Sequence, residues 1–284
     1  MTKVLVTGAG GMLGSDLVAV LSDLPAFTVT AARRTDLDLL DPAAVAAAVP
    51  GHDVVINAAA WTDVDGAETA EPAATALNGT AVASLASACA LAGARLLHVS
   101  TDYVLSGGSS PYPESAVPAP VNAYGRSKLV GERAVLAASG YVVRTAWLYG
   151  EHGRNFAATM LRLAGSRPTV EVVDDQWGQP TWSRALARQL VALASSPSAP
   201  AGVYHGTASG ATTWYGFARS VFELNGLDPD RVRPTTSAAF VRPAVRPAYS
   251  VLGHDRWSLA GLPALPDWRT SLAAAVAAGA VRAG

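Results

Sequence analysis

Tyr124 and Lys128 stand four residues apart in the run Tyr124-Gly125-Arg126-Ser127-Lys128. On a helix that spacing sets a phenol and an ammonium on one face, one turn apart. A phenol is a weak acid, with an unperturbed pKa of about 10. A neighbouring cation favours the phenolate and lowers that value, so the pair could protonate the alkoxide formed when hydride reaches a ketone. Ser100-Thr101-Asp102-Tyr103-Val104 adds a hydroxyl, Thr101, able to hydrogen-bond a substrate carbonyl. It also adds Asp102, able to tune the Tyr124 proton or simply to cap a turn.

A second chemical signal opens the chain, in Val4-Leu5-Val6-Thr7-Gly8-Ala9-Gly10-Gly11-Met12-Leu13-Gly14. Read as strand, turn and helix, it gives three glycines the setting of a dinucleotide site. Gly8 permits the tight turn, Gly11 lets a pyrophosphate approach the backbone, and Gly14 lets helix and strand pack closely. The spacing is Gly-x-x-Gly-x-x-Gly rather than Gly-x-Gly-x-x-Gly, with Gly10 also inside the turn. Where an NAD site usually places an acid, about 20 residues on, the chain reads Thr30-Ala31-Ala32-Arg33-Arg34, with no acid until Asp36. Arginine there can hold a 2′-phosphate, which favours NADPH while leaving NADH possible; Asp38 and Leu39 could line the adenine end.

These groups need a frame, and β-branched runs alternating with Ala/Leu-rich stretches supply one, an α/β parallel sheet of the Rossmann type. Strands are expected at Val4–Thr7, Phe27–Ala32, Val54–Asn57, Arg95–Ser100 and Tyr141–Arg144. Helices are expected at Leu13–Leu21, Ala43–Val49, Ala73–Leu91 and Ala123–Ala138. Asp41-Pro42 reads as a capped helix start and Gly93 as a helix end. Beyond Gly150 the alternation fades into helical pieces (Asn155–Ala164, Ser183–Leu193, Trp214–Asn225) and short strands (Val170–Val173, Gly202–His205). Arg231–Pro247, rich in Arg-Pro steps, reads as extended chain. The predicted organisation is a dinucleotide-binding domain over 1–150, then a smaller substrate lobe over 151–284 with segments returning to the sheet.

With 284 residues, half of them apolar, the chain can bury a large core. A net charge of −1 and a pI near 6.5 give no basic stripe for nucleic acid or an anionic membrane. The alanine-rich runs Ala43–Val49 and Leu272–Val281 are too short to span a bilayer. Met1-Thr2-Lys3 leads straight into a strand, so no secretory signal is expected. The single cysteine, Cys89, excludes an internal disulfide and fits a reducing cytoplasm as a buried small hydrophobe.

Taken together, the chain resembles the extended short-chain dehydrogenases/reductases, and within them the dTDP-4-dehydrorhamnose reductases. The likeness rests on the glycine turn, Asp53-Val54-Val55-Ile56-Asn57-Ala58-Ala59-Ala60-Trp61-Thr62, Val99-Ser100-Thr101-Asp102-Tyr103-Val104 and the Tyr124/Lys128 pair. It continues through Arg144-Thr145-Ala146-Trp147-Leu148-Tyr149-Gly150, Asn155-Phe156, Val173-Asp174-Asp175-Gln176-Trp177-Gly178 and Arg242-Pro243. Related dehydratases carry Glu where this chain has Tyr103. The resemblance implies a dTDP-4-keto-6-deoxy-L-hexose substrate, with Thr101, Tyr124 and Lys128 as the catalytic trio and Lys128 also on the nicotinamide ribose. It implies Ala58, Ala59 and Ala60 along the cofactor, and Asp102, Val104, Trp147, Asn155 and Arg242 beside the substrate. Some relatives dimerise through magnesium held by glutamates, but here the first helix begins Gly14-Ser15-Asp16-Leu17 and the tail from Leu272 holds no acid. No metal site is therefore expected, and a monomer or weak homodimer is.

The five histidines are scattered singly, against a zinc site. His98, on a buried strand, reads as a hydrogen-bonded core residue. Asn78, in the long helix, could support a proton-relay water or serve packing. Arg242 and Arg246 could hold a diphosphate or form surface ion pairs. Two other functions share these motifs: an epimerase retaining NAD, and a non-catalytic NADP-binding regulatory subunit. The intact Thr101, Tyr124 and Lys128 weigh against the second.

Overall fold

The computed structural model describes residues 1–108 and 110–282. Its centre is a six-stranded, all-parallel sheet built from β1 (Thr2–Thr7), β2 (Phe27–Ala32), β3 (Val54–Asn57), β4 (Arg95–Thr101) and β5 (Tyr141–Thr145), closed by the strand Gly202–His205. The spatial order is β2, β1, β3, β4, β5, then Gly202–His205. The chain leaves β1 toward one edge for β2 and returns to the other side for β3, so the strand order reverses between β1 and β3. In open α/β sheets, ligands bind at the carboxyl ends beside such a reversal.

Helices α1 (Met12–Ser22), α2 (Pro42–Ala48), α3 (Val64–Thr69), α4 (Glu71–Thr75), α5 (Ala81–Ala92) and α6 (Ala123–Ala137) lie within the first half. In the second half come α7 (Phe156–Ala164), α8 (Ser183–Ser195), α9 (Trp214–Leu224), α10 (Asp255–Leu259) and α11 (Trp268–Ala277). Strand residues alternate between faces, and here both faces are covered. Val4, Val6, Val54 and Ile56 pack with Leu17 of α1, Leu190 of α8 and Trp257 of α10. Leu5, Val55, Leu96 and Val142 pack the other way, with Val45 of α2, Leu85 and Cys89 of α5 and Val135 of α6. A separate core, including Met160, Phe217, Phe222, Trp268 and Leu272, holds the second lobe together. That lobe is not confined to its own core, since Gly202–His205 pairs with β5 and α8 packs on α1.

The caps expected around α2 and α5 are present. Asp41 accepts hydrogen bonds from the N–H groups of Ala43 and Ala44, and Gly93 takes the left-handed conformation (φ 71°) that ends α5. The single long helix expected over Ala73–Leu91 is instead α4 and α5 joined by a turn of π-helix, Ala76–Thr80. This π turn carries Asn78. The whole stretch Glu71–Ala92 is 22 residues long and apolar enough to cross a membrane by composition, which corrects the estimate from shorter runs. Half of its apolar window is buried within the fold, as in a core helix.

Candidate active site

The glycine turn is built as a cradle for phosphate. Gly8 has φ 71°, and a Cβ there would meet the Ala59 nitrogen at 2.6 Å, so only glycine lets the turns after β1 and β3 close on each other. A Cβ on Gly14 would overlap the Gly8 carbonyl, which is why α1 can start so near the strand. Gly11 caps α1 through its backbone, with no side chain on the first N–H groups and no acid in the first turn. A helix N-terminus of this kind attracts a pyrophosphate. The Arg33 side chain lies 3.7 Å from where a Cβ on Gly10 would sit. Asp36, the first acid, accepts from the Arg33 backbone N–H at 2.9 Å and so serves its own loop. Asp38 likewise turns to the Leu40 N–H, while Leu39 is buried. Met12 and Leu13 form the first turn of α1, and Ala58, Ala59 and Ala60 follow β3 directly opposite Gly8. The residues present thus fit a dinucleotide, with the Arg33 side chain beside the glycine turn.

The second half of the site lies at the end of β4. Thr101 leads into a 3₁₀ turn, Asp102–Val104, and α6 is packed against that turn through Gly125, where any side chain would overlap the Tyr103 carbonyl. Asn122 caps α6, accepting from the Gly125 N–H at 2.8 Å. Tyr124 meets Tyr103 edge-on, ring centroids 6.2 Å apart. Asp102 is 2% exposed and accepts from Ser250 Oγ at 2.6 Å and Thr101 Oγ1 at 3.0 Å. Burial raises its carboxyl from 3.8 to about 6, partly offset by those two hydroxyls.

Two expectations about acidity are corrected. The Tyr124 phenol is not made more acidic; burial and the Asp102 charge hold it above its ordinary value, with Thr101 the only lowering influence. Lys128 makes no contact with it here, because its Nζ is turned to β4, donating to the Val99 carbonyl at 2.7 Å and lying 3.1 Å from His98 Nε2. Burial lowers Lys128 from 10.5 to about 7. Thr101 is corrected too. Its one proton is directed to Asp102 and its lone pair accepts from the Tyr103 N–H, so beside an ionised Asp102 it has no proton to offer a carbonyl. A protonated Asp102 reverses that bond and turns the Thr101 proton outward.

Beyond this cluster lies a cleft of about 740 Å³, a volume suited to a small ligand. Its walls include Phe156 and Met160 of α7, Trp214 of α9, and Gln176, Phe240 and Arg242 from loops. Trp147 sits behind the wall in a left-handed conformation (φ 46°), uncommon for a bulky residue. It stacks on Trp214, centroids 3.6 Å apart, over Gly178, which leaves room for it. Trp214 was invisible to motif reasoning, although the Thr212-Thr213-Trp214 helix start, with Thr213 accepting from the Gly216 N–H, could have flagged it.

Several expected substrate contacts have other work. Val104 is fully buried with Leu105, Leu129 and Leu252 and has no surface to offer. Asn155 caps α7 and donates to the Gly150 carbonyl at 2.9 Å. Arg246 forms a two-pronged pair with Asp65 at 2.9 and 3.0 Å, strapping the 240s loop to α3. Arg242 is 3.6 Å from the same carboxylate and 60% exposed at the cleft. Asn78 is buried; it accepts from the Trp61 N–H and donates to the Trp61 carbonyl and Ser127 Oγ, fixing the loop after β3 to α6.

Known proteins share this architecture throughout. The RmlD substrate binding domain family matches residues 1–281. A dTDP-4-dehydrorhamnose reductase of Streptomyces griseus is 52% identical, over 99% of this chain and 95% of the relative. A dTDP-4-keto-6-deoxy-D-glucose reductase of Streptomyces niveus is also 52% identical, over 94% of each. The crystal structure of a dTDP-4-dehydrorhamnose reductase from Bacillus anthracis in complex with NADP superposes with a TM-score of 0.92 at 33% identity, over 98% of this chain and 100% of that one. Sequence and fold agree: the chain belongs to the dTDP-4-dehydrorhamnose reductase family.

Proposed function

We propose that the protein reduces the C4 ketone of a dTDP-4-dehydro-6-deoxy-L-hexose with NADPH, converting dTDP-4-dehydrorhamnose to dTDP-L-rhamnose. The carrying observation is the Thr101–Asp102–Tyr124 cluster, set at the carboxyl end of β4, at the same end of the sheet as the glycine cradle that follows β1. NADPH, when bound, supplies the hydride. Gly8, Gly11 and Gly14 bring backbone to its phosphates, and Arg33 meets the 2′-phosphate. Arg242 and Trp214, the latter backed by Trp147, line the way in for the sugar nucleotide.

Tyr124 is the proton donor. A phenol held above its ordinary pKa is fully protonated near neutrality and ready to donate. An alkoxide is a far stronger base than a phenolate, so transfer runs downhill without a sensitised phenol. Tyr103 stands where related dehydratases place a carboxylate, which leaves reduction without the elimination chemistry. The protein is read as cytoplasmic, monomeric or weakly dimeric.

Purified protein mixed with NADPH and dTDP-4-dehydrorhamnose should consume NADPH in proportion to ketone. Tyr124→Phe should lose at least about a hundredfold in kcat, the low end of general-acid contributions, with NADPH affinity kept. A Phe variant that turns over normally would remove Tyr124 from the reaction. A second reading, a reductase for an epimeric 4-keto sugar, is favoured by the equal identity to the Streptomyces niveus relative. Product stereochemistry with each 4-keto sugar separates the two.

A further inference from the structure

One face of the sheet carries a buried layer of polar side chains beyond its apolar core. Thr7, Asn57 and His98 are register neighbours on β1, β3 and β4, each at most 1% exposed, and Lys128 of α6, also 1% exposed, covers them. Their hydrogen bonds leave one consistent set of protons. The Ala59 backbone N–H donates to Asn57 Oδ1 at 3.1 Å, and a backbone N–H can only donate. Thr7 Oγ1 donates to the same oxygen at 2.7 Å. The Asn57 amide is thereby oriented, and its Nδ2 group faces His98 Nδ1 at 3.0 Å. That ring nitrogen must accept. A neutral imidazole has one N–H, so it lies on Nε2, 3.1 Å from Lys128 Nζ. An ammonium has three donors and no lone pair, and would set donor against donor. An amine accepts the Nε2–H and still donates to the Val99 carbonyl.

We propose that His98, fixed as its Nε2–H tautomer by Asn57, is a positioning residue that holds Lys128 as an uncharged amine and releases it only when it becomes an ammonium. Protonation then expels the side chain from the His98–Val99 seat toward the cleft side of α6, where Tyr124 stands one turn away. The kinetic part of this proposal rests on the reductase reading; the tautomer part does not. The neighbouring ionisable groups are accounted for. Glu132, on α6 itself, is bound two-pronged to Arg144 of β5 at 2.9 and 2.8 Å. His205 lies beside Arg144 on the edge strand and donates through Nδ1 to the Gly253 carbonyl. Asp102 faces Thr101 and Ser250, and Tyr124 meets Tyr103, so neither is bonded to this layer. Burial holds His98 well below its ordinary value and so keeps it from protonating, and the depressed Lys128 value agrees with an amine.

Two-bond ¹H–¹⁵N correlation on histidine-labelled full-length protein reads the tautomer directly, with the His98 signal assigned by its loss in His98→Gln. The Nε2–H pattern is expected; an Nδ1–H or imidazolium pattern overturns the proposal. Asn57→Asp gives Nδ1 an acceptor and should reverse the tautomer. The Lys128 Nζ titration, followed on lysine-labelled protein, should then rise by about one pH unit or more, a tenfold change in its proton affinity. The matching ionisation in kcat/KM should move with it. A reversed tautomer with Lys128 unmoved also overturns the proposal. If Asn57→Asp does not fold, the wild-type tautomer and the wild-type Lys128 titration decide, the latter expected near neutrality rather than near its ordinary value. If no 4-keto sugar is reduced while the Nε2–H tautomer is found, the reductase reading fails and the tautomer assignment stands.

Discussion

Replacing Asp102 by asparagine should make the protein more stable and change its pH dependence, both for one reason. The native carboxyl is raised from 3.8 to about 6 by burial, so the folded state binds its proton more tightly than the unfolded chain does. Between those two values stability must fall as pH rises, and above about 6 the whole penalty is present. A shift of about two pH units at about 1.4 kcal/mol each amounts to about 3 kcal/mol. Asparagine cannot ionise, yet it can keep both neighbours, accepting from Ser250 and donating to Thr101. Chemical denaturation should therefore show Asp102→Asn more stable by up to about 3 kcal/mol at pH 8, or roughly 6–10 °C in Tm for a chain of this size. At pH 3.5 wild type and variant should coincide. The amide also turns the Thr101 proton toward the cleft permanently, so an inflection near pH 6 in the wild-type kcat/KM profile should vanish. A gain of equal size at both pH values, or none at pH 8, would refute the account of Asp102 as a desolvated carboxylate.

Glu132→Ala strips the partner from Arg144, whose guanidinium is 2% exposed, and should cost about 3–5 kcal/mol of unfolding free energy by urea titration. Gly14→Ala forces α1 away from the Gly8 carbonyl; NADPH affinity measured by fluorescence titration should fall more than tenfold while the far-UV spectrum is kept. Arg33→Ala should raise the KM for NADPH while leaving that for NADH nearly unchanged, because only the 2′-phosphate contact is removed.

The first half of the molecule was largely legible in its sequence, because short β-branched runs alternate there with alanine- and leucine-rich helical stretches. Val54–Asn57 and Phe27–Ala32 occupy the expected spans, and the Asp41 and Gly93 signals mark real helix ends. The π turn at Ala76–Thr80 was not legible, since one inserted residue leaves an alanine-rich helical pattern intact. Helices α3, α10 and α11 were missed as well, the first two being too short for a period to emerge. At the site, residue types announced Tyr124 and Lys128, but not which way Lys128 turns. That depends on His98 and Asn57, placed beside it by strand register across β3 and β4. His98 did read as a hydrogen-bonded core residue, and it is one; its partner lay beyond what spacing can convey. Likewise Asp102 appeared as a carboxylate able to tune a tyrosine, and its weakened acidity follows from burial, which the hydroxyls of Ser250 and Thr101 only partly offset.

The strand Gly202–His205 completes the sheet from the far end of the chain, and Arg95 on β4 reaches across to the carbonyls of Leu193, Ala194 and Ser196 at the end of α8. A fragment ending near residue 150 would expose the edge of β5 and strand that guanidinium without its acceptors. The two halves thus share one sheet and a set of part-buried hydrogen bonds. The strap around Phe240 to Arg246, held by the Asp65 pair, borders the cleft, so loosening that pair should quicken ligand exchange while the sheet stays whole.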